Sequence, residues 1–212
     1  MKAKSSILVL ITLAIIGCMS KGGQTTKSKG EQTTKAIEEN PLPSKYENES
    51  FSLCYPQNWI FNDTGWGGRD SMQNEVDFYP APFPGQKWED MDVPCWIHCV
   101  KAFLNIQWKT AREAADVSKT FHALGNEPGL LGIYDEKDSL TVGGFPAYLI
   151  VYMIEQDNDT IVQKQFVTLL PSTHKVFYFN SNFSVKHWDD GQKLGDDIIS
   201  TIKFKPDADI KH

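Results

Sequence analysis

Three apolar segments separated by turn clusters constrain the fold of this chain more than any other feature. Ala147–Ile154 is apolar almost throughout, and Ile161–Leu170 and Val176–Phe179 follow it. Gly143-Gly144, Gln156-Asp157-Asn158-Asp159 and Pro171–Lys175 stand at the boundaries. Short apolar runs bounded by such clusters read as strands. Short connections favour antiparallel neighbours, so the three form a meander. The run at 147–154 is what a strand covered on both faces requires.

Upstream, Phe51, Leu53 and Tyr55 alternate with Ser52 and Cys54, as in a half-buried strand. Pro56-Gln57-Asn58 turns the chain into Trp59-Ile60-Phe61, and Val76–Tyr79 is a further short strand, ended by Pro80. Ala102, Leu104, Ile106 and Trp108 alternate with polar or aromatic neighbours and predict another. Thr110-Ala111-Arg112-Glu113 has the form of a capping box. Ala114, Val117, Phe121 and Leu124 then share one helical face, and Gly125 stands at the stop position. A closing helix runs through Leu194, Ile198 and Ile202. Gly191 and Gly195 each cost about 1 kcal/mol in a helix interior, so its start is not defined. The expected fold class is α+β, an antiparallel β-sheet flanked by helices.

Three stretches carry a family resemblance. Phe51-Ser52-Leu53-Cys54-Tyr55-Pro56-Gln57-Asn58-Trp59 resembles the opening strand–Pro–x–x–Trp signature of PsbP-like proteins. Gly144-Phe145-Pro146-Ala147-Tyr148 is similar to the family's entry to its central hairpin. Ile198-Ile199-Ser200-Thr201-Ile202-Lys203-Phe204 is similar to its closing helix and strand. The resemblance implies the Mog1/PsbP-like fold over most of residues 46–205. It implies no activity, because no ligand motif comes across. Pro94-Cys95-Trp96-Ile97 is also similar to a stretch of gliding-motility lipoproteins.

The N-terminus supplies an address. Lys2 and Lys4 precede an apolar run, Ile7–Ile16, which ends in Gly17-Cys18. This order describes a secretory signal peptide. Ten helical residues reach about 15 Å, against a hydrocarbon core of about 30 Å. Ile15-Ile16-Gly17-Cys18 resembles the lipobox of bacterial lipoproteins, in which the cysteine takes a diacylglycerol and the new amine is acylated. Several buried acyl chains at about 0.8 kcal/mol per methylene would hold Cys18 at a membrane. Met19, where retained lipoproteins often carry Asp, favours the outer membrane of a Gram-negative bacterium. Met19–Ser44 is polar, and Gln24-Thr25-Thr26-Lys27 recurs at 32–35. Such a segment cannot offset chain entropy and reads as a tether spanning roughly 25–30 Å. The expected organisation is 1–17 signal peptide, 18–44 lipidated cysteine and tether, and 45–212 folded domain.

Charge divides at the same place. Of 21 basic and 27 acidic residues, six Lys and three Glu precede residue 45, which leaves the domain a formal net of −9. That, without a basic patch, argues against a nucleic-acid partner and against docking onto anionic headgroups.

Cys95-Trp96-Ile97-His98-Cys99 is the cluster most suggestive of chemistry. On a helix, Cys95, His98 and Cys99 would share a face and could ligate zinc. Pro94 favours extended structure, in which the two cysteines face away from His98. Cys95 and Cys99 on one strand lie about 13 Å apart, beyond disulfide reach. The remaining alternatives are Cys54 bridged to Cys95 or Cys99, or three buried thiols. Trp66, Phe83 and Trp88 are large apolar residues in loops, either folded onto the core or presented to a partner. No Gly-x-Ser-x-Gly, His-Glu-x-x-His or phosphate-loop motif occurs. The sequence therefore implies an envelope lipoprotein with a non-catalytic binding or scaffolding domain, membrane-anchored, without a cofactor and with an envelope protein as candidate partner. The alternatives are a small-ligand or metal-binding lipoprotein using Cys95, His98 and Cys99, a gliding-motility-type lipoprotein, and a hydrolase built from scattered Asp, His and Ser.

Overall fold

Turn chemistry sets the register of the main sheet. Gly143 and Gly144 adopt φ of 59° and 86°. Two successive positive φ values are what a two-residue hairpin turn needs and what only glycine adopts without strain. The turn joins β6 (Leu130–Val142) to β7 (Phe145–Gln156), with Val142 paired to Phe145. β7 pairs with β8 (Asp159–Leu170), and β8 with β9 (Lys175–Ser184), all antiparallel. The computed structural model describes residues 40–63, 75–82, 94–101, 108–123, 129–156 and 159–205.

β9 continues the sheet through β5 (Trp96–Lys101), β4 (Glu75–Pro80) and β3 (Trp59–Asn62). The seven strands lie in the order β3-β4-β5-β9-β8-β7-β6. A smaller sheet holds β1 (Ser44–Glu47), β2 (Phe51–Tyr55) and β10 (Lys203–Phe204), with β2 central. The meander is as expected. β9 runs five residues beyond Phe179, and β6 is a strand that the sequence analysis lacked. β6 carries Asp135, Glu136, Lys137, Asp138 and Ser139 in succession. As the edge strand of its sheet it tolerates them, and bulges interrupt its register.

Period-2 alternation divides the main sheet into two faces. One buries Ile97 and Cys99 of β5, Phe177, Phe179 and Phe183 of β9, and Phe78 of β4. The small sheet covers this face: Phe51 meets Phe179 edge-on at 5.4 Å, and Tyr46 meets Phe78 at 5.1 Å. Burying a ring of this size stabilises the fold by about 1.5–3 kcal/mol. The helix α2 (Trp188–Ser200) packs on β9 on the same side. Gly191 and Gly195 are interior to α2 and allow this packing. A Cβ at Gly195 would sit 1.8 Å from Ser181 Oγ, and one at Gly191 would sit 2.3 Å from the Pro94 carbonyl oxygen.

The opposite face carries the helix α1 (Ala111–Phe121) over β7 and β8. Its cap forms one residue off the expected box: Thr110 Oγ1 accepts from the Glu113 amide at 3.1 Å, while Glu113 Oε2 reaches past the N-cap to accept from the Lys109 amide at 2.9 Å. The buried stripe differs from expectation. Ala111, Ala114 and Ala115 pack with Tyr148, Ile150 and Tyr152, whereas Val117 and Phe121 are 42% and 57% exposed. Small residues win the contact because they let the helix approach the large aromatic side chains of β7.

The folded unit also starts before residue 45. Leu42 is buried in the core and Ser44 opens β1, while Glu39–His212 form one compact unit. The described fold thus includes Leu42 and Ser44, ahead of the expected domain start at 45. The expected strand over 102–107, Leu124 and Gly125 lie outside the described residues; Trp108 is buried beside α1.

Candidate functional site

The Cys95, His98 and Cys99 zinc alternative does not survive the strand. β5 sends Cys99 toward the α2 face, where Cys95 just before the strand is also buried, and sends His98 to the α1 face. The Cys95 thiol instead lies 3.7 Å from Ser181 Oγ. Among the described residues no cluster of three His, Cys, Asp or Glu side chains is arranged to hold a metal. Cys54, Cys95 and Cys99 carry free thiols, the first half-buried and the other two buried. Burial pushes the Cys95 thiol up to about 12, against a lowering by the Ser181 hydroxyl. Cys99 is raised well above an ordinary thiol, first by burial and then by nearby Asp77. Cys18, Trp66, Phe83 and Trp88 lie outside the described residues.

His98 belongs to a different constellation. The strand pairing places Asp77 beside His98, His98 beside Asn180, and Asn180 beside Gln165. A second row sets Trp96 beside Asn182 and Asn182 beside Gln163. Both rows lie on the α1 face of the sheet. His98 Nδ1 lies 2.6 Å from Asp77 Oδ1, with the imidazole 27% and the carboxylate 5% exposed. The carboxylate thereby orients the ring.

Asn180, Asn182 and Gln165 are buried although they are polar. Gln165 Oε1 accepts from Ser118 Oγ at 2.6 Å, which ties α1 to the sheet. Among the described residues, Asn180 Oδ1 and Asp77 Oδ2 have no hydrogen-bond partner. A buried, unpartnered acceptor costs about 1–3 kcal/mol, so two in one row mark a place where packing alone does not account for the residues.

Two cavities open over these rows. One, of about 350 Å³, is lined by Asp77, Tyr79, Trp96, His98 and Asn182 among others. The second, of about 380 Å³, runs under α1 past Val117, Phe121, Gln165 and Tyr178. His98, Gln163 and Asn180 line both, so the cavities adjoin and are taken together as one groove. Each has the volume of a small-molecule site. Burial raises the Tyr178 phenol, which stays a neutral donor at physiological pH. A larger cavity of about 610 Å³ lies on the other face, between α2 and the β6–β7 hairpin. Its buried cation, Lys164, is paired with Asp196 at 2.5 Å, and no unpartnered polar atom lines it among the described residues.

No family model and no curated protein matches the sequence. The structure, by contrast, is similar to the solution structure of the cyanobacterial PsbP protein CyanoP from Synechocystis sp. PCC 6803. Identity is 16%, the match covers 78% of this chain and 94% of that one, and the TM-score is 0.51. The fold is Mog1/PsbP-like. Two further solved structures match at TM-scores below 0.5. The Ran-binding protein Mog1p of Saccharomyces cerevisiae is 11% identical over 75% of this chain and 93% of its own, at a TM-score of 0.49. LpqN, involved in cell envelope biogenesis of Mycobacterium tuberculosis, is 17% identical over 80% of this chain and 88% of its own, at 0.47. The expected Mog1/PsbP-like architecture is thus present, with its antiparallel seven-strand sheet and two helices.

The sequence analysis weighed His98 only as a zinc ligand, which a strand disfavours, and did not single out Asp77, Asn180 or Asn182. One signal was present. Phe177, Phe179 and Phe183 continue at period two through Ser181, which keeps 180 and 182 together on the opposite face.

Proposed function

We propose that this chain is an envelope lipoprotein, anchored at the outer membrane through Cys18, whose Mog1/PsbP-like domain binds a polar ligand in the groove between α1 and strands β4, β5, β8 and β9. The observation that carries the binding reading is Asn180: a buried amide with an unpartnered carbonyl, lining both cavities next to the Asp77–His98 pair. Buried polar groups of this kind are retained where they meet something other than the protein. The anchor rests on the run Ile7–Ile16 followed by Gly17-Cys18 and on the polar segment behind it.

A hydrolytic reading has one observation in its favour, the Asp77–His98 pair, which has the orientation of a general base and its carboxylate. Neither cavity lining contains a Cys or Thr among the described residues, and Ser118 already donates to Gln165. Binding without turnover is the reading these residues support.

The test of the anchor is fractionation of cells carrying Cys18→Ser. Release of the protein from the membrane fraction is expected, and unchanged membrane association overturns the anchor. Crosslinking in intact cells followed by pull-down of the tethered protein identifies an envelope partner. The groove is tested by Gln163→Ala, which removes a half-exposed amide common to both cavities. Loss of the crosslinked partner or of a bound metabolite, with the fold retained, is the expected result.

A further inference from the structure

We infer that the groove takes an uncharged carbohydrate, in the form of a short oligosaccharide lying across both cavities; this rests on the binding reading of the groove. Four observations bear on the ligand's chemistry.

The first is charge. No Lys, Arg or Glu lines either cavity among the described residues, and the one carboxylate, Asp77, is engaged with His98. The domain around it has a formal net charge of −9. An anionic ligand would meet no lysine or arginine among the described lining residues and an opposing field from the acidic domain, so phosphate and carboxylate ligands are disfavoured. The second is hydrogen-bond type. Asn180, Asn182, Gln163 and Gln165 each offer a donor and an acceptor on one planar group, which matches hydroxyls that donate and accept at once. Three of these four amides are buried in the sheet, so little side-chain entropy is lost on binding. Rotation of the Asn180 amide presents either its oxygen or its nitrogen.

The third is the pair of half-buried aromatic residues, Trp96 and Tyr79, on neighbouring strands one step from the Phe78–Ile97 pair. They provide an apolar surface beside the amides, as a sugar ring needs for its C–H face while its hydroxyls point sideways. The fourth is continuity. Two cavities meeting at His98, Gln163 and Asn180 call for a ligand longer than one ring, and Val117 and Phe121 give the second cavity an apolar wall. A peptide fits less well. β4, β5, β8 and β9 are interior strands with their backbone groups already paired, so strand addition is closed and only side chains face the groove.

The experiment is isothermal titration of the full chain in detergent micelles. The probes are neutral hexasaccharides of glucose, xylose and N-acetylglucosamine, with hexagalacturonate and hexaalanine as anionic and peptide arms. Saturable binding of at least one neutral oligosaccharide is expected. It weakens at least tenfold in both Trp96→Ala and Gln163→Ala and is unchanged in Lys203→Ala, which lines the cavity on the other face. Circular dichroism checks that each variant is folded; Gln163 is half-exposed, so its variant serves if Trp96→Ala unfolds. Failure of every neutral oligosaccharide to bind overturns the carbohydrate assignment. If hexaalanine or hexagalacturonate binds instead and Gln163→Ala weakens it, the groove reading stands without it. Binding of a neutral oligosaccharide that neither groove variant changes overturns the groove reading as well.

Discussion

At the scale of single residues, the strand around His98 decides what two of the four cysteines can do. Alternation sends Cys99 into the apolar layer under the small sheet and α2, with Cys95 beside it, and sends His98 to the groove. A thiol raised to about 12 by burial carries almost no thiolate at neutral pH, and the thiolate is the reactive form. Maleimide labelling of the folded protein at neutral pH is therefore expected to modify Cys54 first. Cys95 and Cys99 should become reactive only in denaturant. Peptide mapping after labelling checks this, and rapid native labelling of Cys99 would contradict its burial. The same alternation explains why the chemistry of His98 was not legible from its neighbours in sequence. Its partner Asp77 is 21 residues away and reaches it through strand pairing.

At the scale of elements, α2 shows why propensity alone did not define its start. Gly191 and Gly195 weaken an isolated helix, yet each sits where a Cβ would collide with β9 or with the Pro94 carbonyl. Gly195→Ala would gain about 1 kcal/mol of helix propensity. Forcing Ser181 or the helix to move costs about 1–3 kcal/mol. A net loss of stability, up to about 2 kcal/mol, is expected by chemical denaturation. A stabilised variant would mean that α2 lies farther from β9. In α1 the capping residues were readable because the cap is local, within four residues. The buried stripe was not, because Ala114 and Ala115 win over Val117 and Phe121 only against the aromatic side chains of β7. β9 was read short for a related reason. Asn180, Ser181 and Asn182 are poor strand formers, and the central position of β9 in the sheet overrides that preference.

At the scale of the whole molecule, the two ends of the folded unit meet. β1 and β10 flank β2, and Glu47 on β1 accepts hydrogen bonds from Lys45, at 2.5 Å, and lies 2.9 Å from Lys205 beyond β10. The Lys45 contact first, and Lys205 next, hold the Glu47 carboxyl down at about 2. A carboxyl depressed on folding stabilises the native state above its unfolded pKa of about 4.3. That contribution is lost as pH falls from there through about 2. The group is exposed, so the effect is small and screened by salt. Glu47→Gln should narrow the difference in melting temperature between pH 6 and pH 3 at low ionic strength and have no effect in molar salt. Sequence alone determined the acid excess of residues 45–212 and the turn-separated strands of the meander, and it carries the expectation of a lipidated Cys18 on a polar tether, because each is written in contiguous residues through composition, local turns or period. Only the tertiary structure decided that β6 and the far half of β9 are strands, that α2 needs its glycines, and that Asp77, His98, Asn180 and Gln165 form one row across β4, β5, β9 and β8. The physical reason is strand pairing: it joins residues remote in sequence, and no local pattern encodes which strand lies beside which.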